Sequence, residues 1–208
     1  MTNLSYIGGK RSDYYSFRKR SNIRDDGNDL SSKINQNLYG RGYYALRAIL
    51  EACLKVSTQI TLHCPAYNCW TTFRSAIETL DNITLSIYKN PQELEENLKN
   101  KSNANCVLIV DYFGISDYTE YLNVLSGDCV TIFDLAHSFP TKGYINDIIQ
   151  LCDYAFISLR KILPVPNGAI AFSKKEYLIS SAQKNTASTY WHLLSMISKF
   201  LLLILLIP

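Results

Sequence analysis

Residues 153–169 read D-Y-A-F-I-S-L-R-K-I-L-P-V-P-N-G-A, and the rest of the chain can be interpreted from this segment. The apolar run at 154–157 is too short for a helix and predicts a buried β-strand. Two prolines and a glycine within 164–168 prevent any regular element from continuing. We therefore expect Ser158 and Lys161 directly after the end of that strand.

The position of Lys161 favours a chemical role for its amine. The carboxyl end of a buried parallel strand is where open α/β sheets bind ligands. An amine held there is desolvated, which lowers its pKa and makes it a nucleophile toward carbonyl groups. The alternative is a solvated surface lysine, as most lysines are.

The segment F-D-L-A-H-S at 133–138 follows another apolar run and supplies a second polar cluster. A buried carboxylate is costly unless it has a partner. We expect the carboxyl of Asp134 and the amine of Lys161 to face each other across a pocket about as wide as an aromatic ring. His137 either belongs to that pocket or is an ordinary histidine of the core or a loop.

A glycine turn at Gly40 and Gly42 precedes a segment of helical apolar spacing at 43–56. The first N–H groups of a helix lack intrahelical partners, and the helix dipole favours an anion there. The turn is therefore a candidate phosphate cradle, the alternative being a glycine kept only for steric reasons.

Strand-like and helix-like segments alternate along the chain. Strands are predicted at 59–64, 83–88, 106–112, 129–133, 152–159 and 169–172, and helices at 43–56, 71–80, 91–100 and 118–125. This alternation predicts βαβ units, hence an α/β fold with a mostly parallel sheet flanked by helices. The predicted divisions are an N-terminal leader at 1–37, the α/β large domain at 38–184 and an apolar C-terminal helix at 185–208.

The tail at 193–207 is almost wholly apolar but contains Lys199. It is shorter than the about 20 residues that a membrane span needs. We expect a helix that packs on a partner or on a further domain that this chain lacks. Membrane contact through the tail is the less favoured alternative.

Composition indicates an ordinary globular protein. The 208 residues are 47% hydrophobic and 19% charged, and the net charge of +3 is too small to indicate a nucleic-acid partner. Basic residues at 10–24 are followed by acidic ones at 25–29, so a polar leader is favoured over an RNA-binding arm.

The six cysteines are scattered through apolar segments, and the polar N-terminus is not a signal peptide. We therefore expect buried free thiols and a cytoplasmic location. A zinc site at His63, Cys64 and Cys69 is disfavoured because a second ligand pair with suitable spacing is lacking.

Four motifs follow one another along the chain. They are the glycine turn at Gly42, P-A-Y-N at 65–68, D-L-A-H-S at 134–138 and S-L-R-K-I-L-P-V-P-N-G-A at 158–169. In this order they resemble the DegT/StrS-type sugar aminotransferases over residues 38–172. The resemblance implies the large domain of the aspartate-aminotransferase fold, pyridoxal 5'-phosphate as cofactor, and a C-terminal domain beyond the end of this chain.

The resemblance implies roles for the residues of the two later motifs. Lys161 would be the catalytic residue, holding the cofactor covalently and moving a proton. Asp134 would pair with the pyridine nitrogen and keep it protonated, and His137 would lie near the ring oxygen. The family's dehydratases have histidine in place of Lys161, so the lysine argues against that branch.

Phosphate binding is implied for Ser158 and for the backbone at Gly42 and Tyr43. Tyr43 stands where the family usually has threonine or serine, so its side chain is not expected to supply an aliphatic hydroxyl. Tyr67 or Trp70 would cover the ring face, unless each belongs to the core.

Asp111, in D-Y-F-G, stands where the family usually has a histidine before the glycine. No role is implied for it by the resemblance.

Two functions remain open. The first is transfer of an amino group from an amino acid, with glutamate expected, to a keto sugar nucleotide for surface polysaccharide or related glycoside synthesis, in a homodimer. The second is a truncated, catalytically inactive large-domain fragment acting as a binding or interaction protein.

Overall fold

The computed structural model describes residues 34–99, 104–125, 127–138 and 142–174. The predicted leader up to residue 33, the end of the predicted α/β domain at 175–184 and the apolar helix at 185–208 lie outside these residues.

The described residues form a seven-stranded sheet. Its strands are β1 (Asn35–Tyr39), β2 (Ile60–Pro65), β3 (Ile83–Tyr88), β4 (Ala104–Val110), β5 (Val130–Asp134), β6 (Tyr154–Ser158) and β7 (Ala169–Ser173). Their order across the sheet is β1-β7-β6-β5-β4-β2-β3. Strands β2 to β6 run parallel, whereas β7 is antiparallel to both of its neighbours. The predicted mostly parallel α/β sheet is confirmed.

Five helices connect the strands in this part of the chain: α1 (Gly42–Val56), α2 (Trp70–Ile77), α3 (Pro91–Lys99), α4 (Thr119–Asn123) and α5 (Lys142–Leu151). The buried face of α1 includes Leu46, Ile49 and Cys53 at helical spacing. A 3₁₀ turn at Leu159–Lys161 follows β6. Among the described helices, none has the length and apolar character that crossing a membrane requires.

Apolar side chains cover both faces of the sheet. Successive residues of a strand point to opposite faces, so Ile132 and Phe133 of β5 enter different core layers. One layer packs against α1 and α2, and the other packs against α3, α4 and α5. Burial on both faces is typical of parallel sheets and explains the continuous apolar run at 106–110.

All ten elements predicted from the sequence are present, with ends shifted by at most three residues. Two further elements, β1 and α5, were not predicted. The edge strand β1 has the sequence N-Q-N-L-Y, whose polar residues are partly or fully exposed and show no alternation. Because β1 begins at Asn35, the predicted boundary of the leader at residue 37 falls inside the sheet.

The missed helix α5 spans the ten residues Lys142–Leu151 and ends two residues before β6 begins. Ile145, Ile148 and Ile149 have helical spacing and contribute to the core. The prediction failed because the helix is short, begins with Lys142 and Gly143, and lies between two more strongly apolar strands.

Three polar residues lie where neighbouring parallel strands end. Asp134 and Ser158 are the last residues of β5 and β6, and Asp111 directly follows β4. The first turn of α1 packs beside this edge, with Gly42 next to Ser158. A Cβ atom at Gly42 would lie 3.7 Å from the Cβ atom of Ser158.

The loop that carries Lys161 is tied back to the start of α1. Gly168 adopts a φ of 140°, which side chains disfavour, and its N–H donates to the carbonyl of Gly40 at 2.8 Å. The carbonyl of Gly168 accepts from the N–H of Leu159 at 2.9 Å. Both ends of the loop are therefore held at the edge where the strands end.

Candidate active site

One pocket of about 200 Å³ opens at the carboxyl ends of β5 and β6. It brings together five of the six site residues predicted from the sequence: Gly42, Tyr43, Asp134, Ser158 and Lys161. The sixth, His137, does not line the pocket but contacts Lys161 at its rim. Residues separated by more than a hundred positions in the sequence therefore share one cavity.

The amine of Lys161 is presented by the 3₁₀ turn that follows β6. Its Nζ atom lies 3.1 Å from Nε2 of His137. Burial and the charge of Lys161 lower the pKa of His137, which favours the neutral imidazole, whose Nε2 can accept a hydrogen bond from the Lys161 amine. The ring of His137 packs edge-on against Phe113, with 5.6 Å between the ring centroids.

The carboxyl of Asp134 lies in the same pocket as Lys161 without forming an ion pair with it. Its Oδ1 atom accepts the N–H of Ala136 at 2.8 Å. Desolvation raises the pKa of Asp134 to about 6, against the opposing effects of that hydrogen bond and of the Lys161 charge. Part of the side chain reaches solvent through the pocket, so a ligand there could meet it directly.

The start of α1 provides unused hydrogen-bond donors. The N–H groups of Tyr44 and Ala45 both donate to the carbonyl of Arg41, whereas those of Gly42 and Tyr43 donate to no described residue. Free N–H groups at the first turn of a helix favour an anion. The pKa of the Tyr43 phenol is raised to about 12 by burial, with Tyr44 contributing, so it stays neutral beside such an anion.

Ser158 adds a hydroxyl to this donor set. Its side chain is 4% exposed, and its Oγ atom has no hydrogen-bond partner among the described residues. Because Ser158 lines the pocket, this hydroxyl is available to a ligand. Two arginines, Arg41 and Arg160, also line the pocket and add positive charge.

A further part of the pocket wall comes from the start of α2, whose residues were not predicted to belong to the site. Cys69, Thr71, Thr72 and Ser75 line the pocket there. Their polar side chains follow the P-A-Y-N motif directly, a signal that could have found them. Tyr67 and Trp70 do not line the pocket, and both are exposed instead of belonging to the core.

Cys69 corrects the prediction that the free thiols are buried. The other five cysteines are buried, and Cys69 is exposed. Its sulfur lies 3.2 Å from Oγ1 of Thr72 and 3.5 Å from Oγ1 of Thr71. These hydrogen bonds, with a smaller contribution from the Lys161 charge, lower the pKa of Cys69 to about 7.

His63, the other part of the disfavoured zinc group, is buried within the sheet. Its Nε2 atom lies 3.0 Å from Oδ1 of Asn105 on the neighbouring strand. Within the described ranges, no group of histidine, cysteine or acidic residues has the geometry of a metal site.

No protein-family model matches the chain, and no curated protein matches it either. Solved structures do match. An archaeal O-phosphoseryl-tRNA(Sec) selenium transferase has a TM-score of 0.60 and 16% identity, over 81% of this chain and 45% of that protein. A serine palmitoyltransferase from S. paucimobilis, solved with bound pyridoxal phosphate, has a TM-score of 0.55 and 13% identity, over 80% of this chain and 48% of that protein.

A third match is GDP-4-keto-6-deoxymannose-3-dehydratase with bound GDP-perosamine. It has a TM-score of 0.51 and 13% identity, over 68% of this chain and 40% of that protein. At these identities the matches show a shared fold, that of fold type I pyridoxal-phosphate enzymes. The chain spans less than half the length of each of these three proteins.

Proposed function

We propose that this chain is the large domain of a pyridoxal-phosphate-dependent aminotransferase. The proposal rests on one observation: a lysine amine, a carboxyl group and free N–H groups that could bind an anion meet in one pocket. The fold supports it, because one of the matching proteins was solved with pyridoxal phosphate bound.

The residues present fit the chemical groups of this cofactor. Lys161 is the only lysine among the residues that line the described pocket, and an amine can bond covalently to the cofactor's carbonyl carbon. The free N–H groups of Gly42 and Tyr43, with the hydroxyl of Ser158, suit a phosphate. Asp134 would hold the pyridine nitrogen, whose positive charge would favour the ionised carboxylate.

When bound, pyridoxal phosphate supplies an electron sink for carbanion charge. The chain's own residues then have three tasks. Asp134 stabilises the charge on the ring nitrogen, the start of α1 fixes the phosphate, and Lys161 holds or gives up a proton at Nζ. His137 lies within hydrogen-bond distance of that atom, so it can orient the amine.

We further propose that the amino group goes from glutamate to a keto sugar nucleotide, in a homodimer in the cytoplasm. The motif order around Asp134 and Lys161 supports this class of substrate, and one matching structure contains a bound sugar nucleotide. The guanidinium groups of Arg41 and Arg160 at the pocket suit anionic groups of a substrate.

The half-reaction tests this function. The protein, expressed at the full length of its gene and loaded with pyridoxal phosphate, is incubated with glutamate, and 2-oxoglutarate is measured. We expect up to one equivalent of 2-oxoglutarate per bound cofactor, and none from Lys161→Arg. Lys99→Arg is the matched control, because Lys99 is an exposed lysine that pairs with Glu95 on the same helix.

Different results of this experiment would refute different parts of the proposal. Cofactor binding without 2-oxoglutarate formation, from glutamate or any other amino donor, would refute amino transfer and leave the cofactor site. No cofactor binding at all would refute the enzyme and favour the alternative of a binding or interaction protein. Equal product from Lys161→Arg and Lys99→Arg would refute the role of Lys161.

A further inference from the structure

Asp111 is a fully buried carboxylate that lies behind the pocket and does not line it. It directly follows β4, and its side chain is 0% exposed. Its backbone N–H donates to the carbonyl of Asp134 at 2.9 Å. The residue is therefore joined to the first residue of the segment 134–138, which carries both Asp134 and His137.

The side chain of Asp111 reaches the other end of the same segment. The hydroxyls of Ser138 and Tyr144 both donate to its Oδ2 atom. The Ser138 hydroxyl also lies 3.3 Å from the Asp111 carbonyl. The Ser138 hydroxyl therefore contacts both the side chain and the backbone of Asp111, and these contacts hold Ser138 in place.

The segment between these two attachments is a tight turn. The N–H of Ser138 donates to the carbonyl of Leu135 at 3.1 Å, and Asp134 accepts the N–H of Ala136. His137 directly precedes the anchored Ser138, and its side chain is exposed at the rim. Its position beside Lys161 therefore depends on where Ser138 is held.

The Oδ1 atom of Asp111 is buried and has no hydrogen-bond partner among the residues that the structure describes. Leaving such an atom unsatisfied is unfavourable, and an apolar residue in its place would avoid this cost. The hydrogen bonds that the other oxygen accepts from Ser138 and Tyr144 offset part of this cost and hold the end of the turn in place.

We infer that Asp111 is a positioning residue that fixes His137 against the amine of Lys161 by anchoring Ser138. Its relevance to a reaction rests on the proposed function. The placement of His137 beside Lys161 is a property of the protein without bound cofactor. Tyr144, on α5, hydrogen-bonds to the same carboxylate oxygen and to the Ser138 hydroxyl. Removing the Tyr144 hydroxyl leaves the hydrogen bond from Ser138 to Asp111 in place, so Tyr144→Phe is the matched control.

Ser138→Ala and Tyr144→Phe each remove one hydroxyl that donates to the same oxygen atom. The imidazole of His137 is titrated by NMR in both variants and in Asp111→Asn, without pyridoxal phosphate. His137→Gln assigns the signal among the three histidines of the chain. Melting temperatures confirm that each variant is folded, and the milder Ser138→Ala variant keeps the test valid should Asp111→Asn not fold.

We expect the titration midpoint of His137 to rise by about half a pH unit or more in Ser138→Ala, because the ring leaves the charge of Lys161 and becomes more solvated. Tyr144→Phe should leave the midpoint within about 0.2 units of the wild type. No change in Ser138→Ala, or equal changes in both variants, would overturn the inference. Failure of the wild type to bind pyridoxal phosphate would remove the proposed function but would not alter this titration.

Discussion

Asp134 combines a raised pKa with a place in the proposed cofactor pocket, so its replacement should affect stability and cofactor binding in opposite directions. Its folded-state pKa of about 6 exceeds the ordinary value of 3.8, so the native state binds more protons than the unfolded chain between these values. Its stabilising contribution is present at low pH and is lost as the pH rises through about 6.

We predict that Asp134→Asn stabilises the cofactor-free protein more at pH 7.5 than at pH 4.5. Its effect on the free energy of unfolding should be more favourable at pH 7.5 by roughly 1–2 kcal/mol. Asparagine can still accept the N–H of Ala136, so the turn is kept. Denaturant unfolding at the two pH values measures the difference, and binding of pyridoxal phosphate should weaken at the same time. Asp128→Asn, at an exposed position, is the control, and equal pH dependence in both variants would contradict the prediction.

Cys69 should be the most reactive thiol of the chain, because it is exposed and its pKa is lowered to about 7. The thiolate is the reactive form of cysteine. We predict that iodoacetamide at pH 7.5 labels Cys69 first, and that pyridoxal phosphate slows this labelling because Cys69 lines the same pocket. Peptide mass spectrometry gives the labelling rate at each cysteine. Labelling of a buried cysteine such as Cys64 as fast as Cys69 would contradict the prediction.

At the scale of the elements, the start of α1 is the part of the site that a single methyl group can test. A Cβ atom at Gly42 would make only ordinary contacts, 3.7 Å from Cβ and 3.9 Å from Oγ of Ser158. We therefore predict that Gly42→Ala changes the melting temperature by no more than a few degrees but weakens binding of pyridoxal phosphate at least tenfold, because the methyl group occupies the donor cradle.

Gly40→Ala is the matched control for that prediction. Its Cβ atom would lie 3.9 Å from Tyr44, and Gly40 does not line the pocket. Cofactor titration followed by absorbance compares the two variants. Equal affinities would show that the phosphate does not bind at the first turn of α1.

The sequence predicted most elements because their apolar residues carry clear periods. The burial of β6 and the helical spacing of α1 each follow from one short run of residues. The edge strand β1 and the short helix α5 were missed because β1 owes its conformation to pairing with β7 and α5 owes its burial to the sheet. Such tertiary contacts override the local pattern.

The candidate site was predictable in part for the same reason. Lys161, Asp134 and Ser158 each follow an apolar strand, and the carboxyl ends of parallel strands meet at one edge. The wall formed by Cys69 and the anchoring of the turn by Asp111 were not predicted. Both depend on side-chain contacts between segments that are distant in the sequence, which a single sequence does not display.

At the scale of the whole molecule, His63 should make the fold sensitive to acid. It is 1% exposed, and its Nδ1 atom has no hydrogen-bond partner within the described part of the chain. Burial lowers its pKa below 6.5, with the Asn105 hydrogen bond opposing this effect. The unfolded chain therefore binds a proton that the native state excludes, and stability falls as the pH decreases below about 6.5.

We predict that His63→Gln reduces this loss, by up to about 1.4 kcal/mol per pH unit below 6.5. Glutamine can keep a donor for Asn105 and does not titrate. Denaturant unfolding between pH 7.5 and 5 gives the difference between wild type and variant, in which the opposing contribution of Asp134 cancels. Parallel pH profiles of the two proteins would rule out His63 as the acid-sensitive group.

The central claim is that Lys161 bonds covalently to pyridoxal phosphate in the pocket it shares with Asp134. The most direct measurement incubates the protein with pyridoxal phosphate, reduces it with borohydride and locates the added mass by peptide mass spectrometry. We predict one addition per chain, on Lys161, which Lys161→Arg abolishes and Lys99→Arg does not. No addition, or an addition spread evenly over exposed lysines such as Lys89 and Lys99, would contradict the claim.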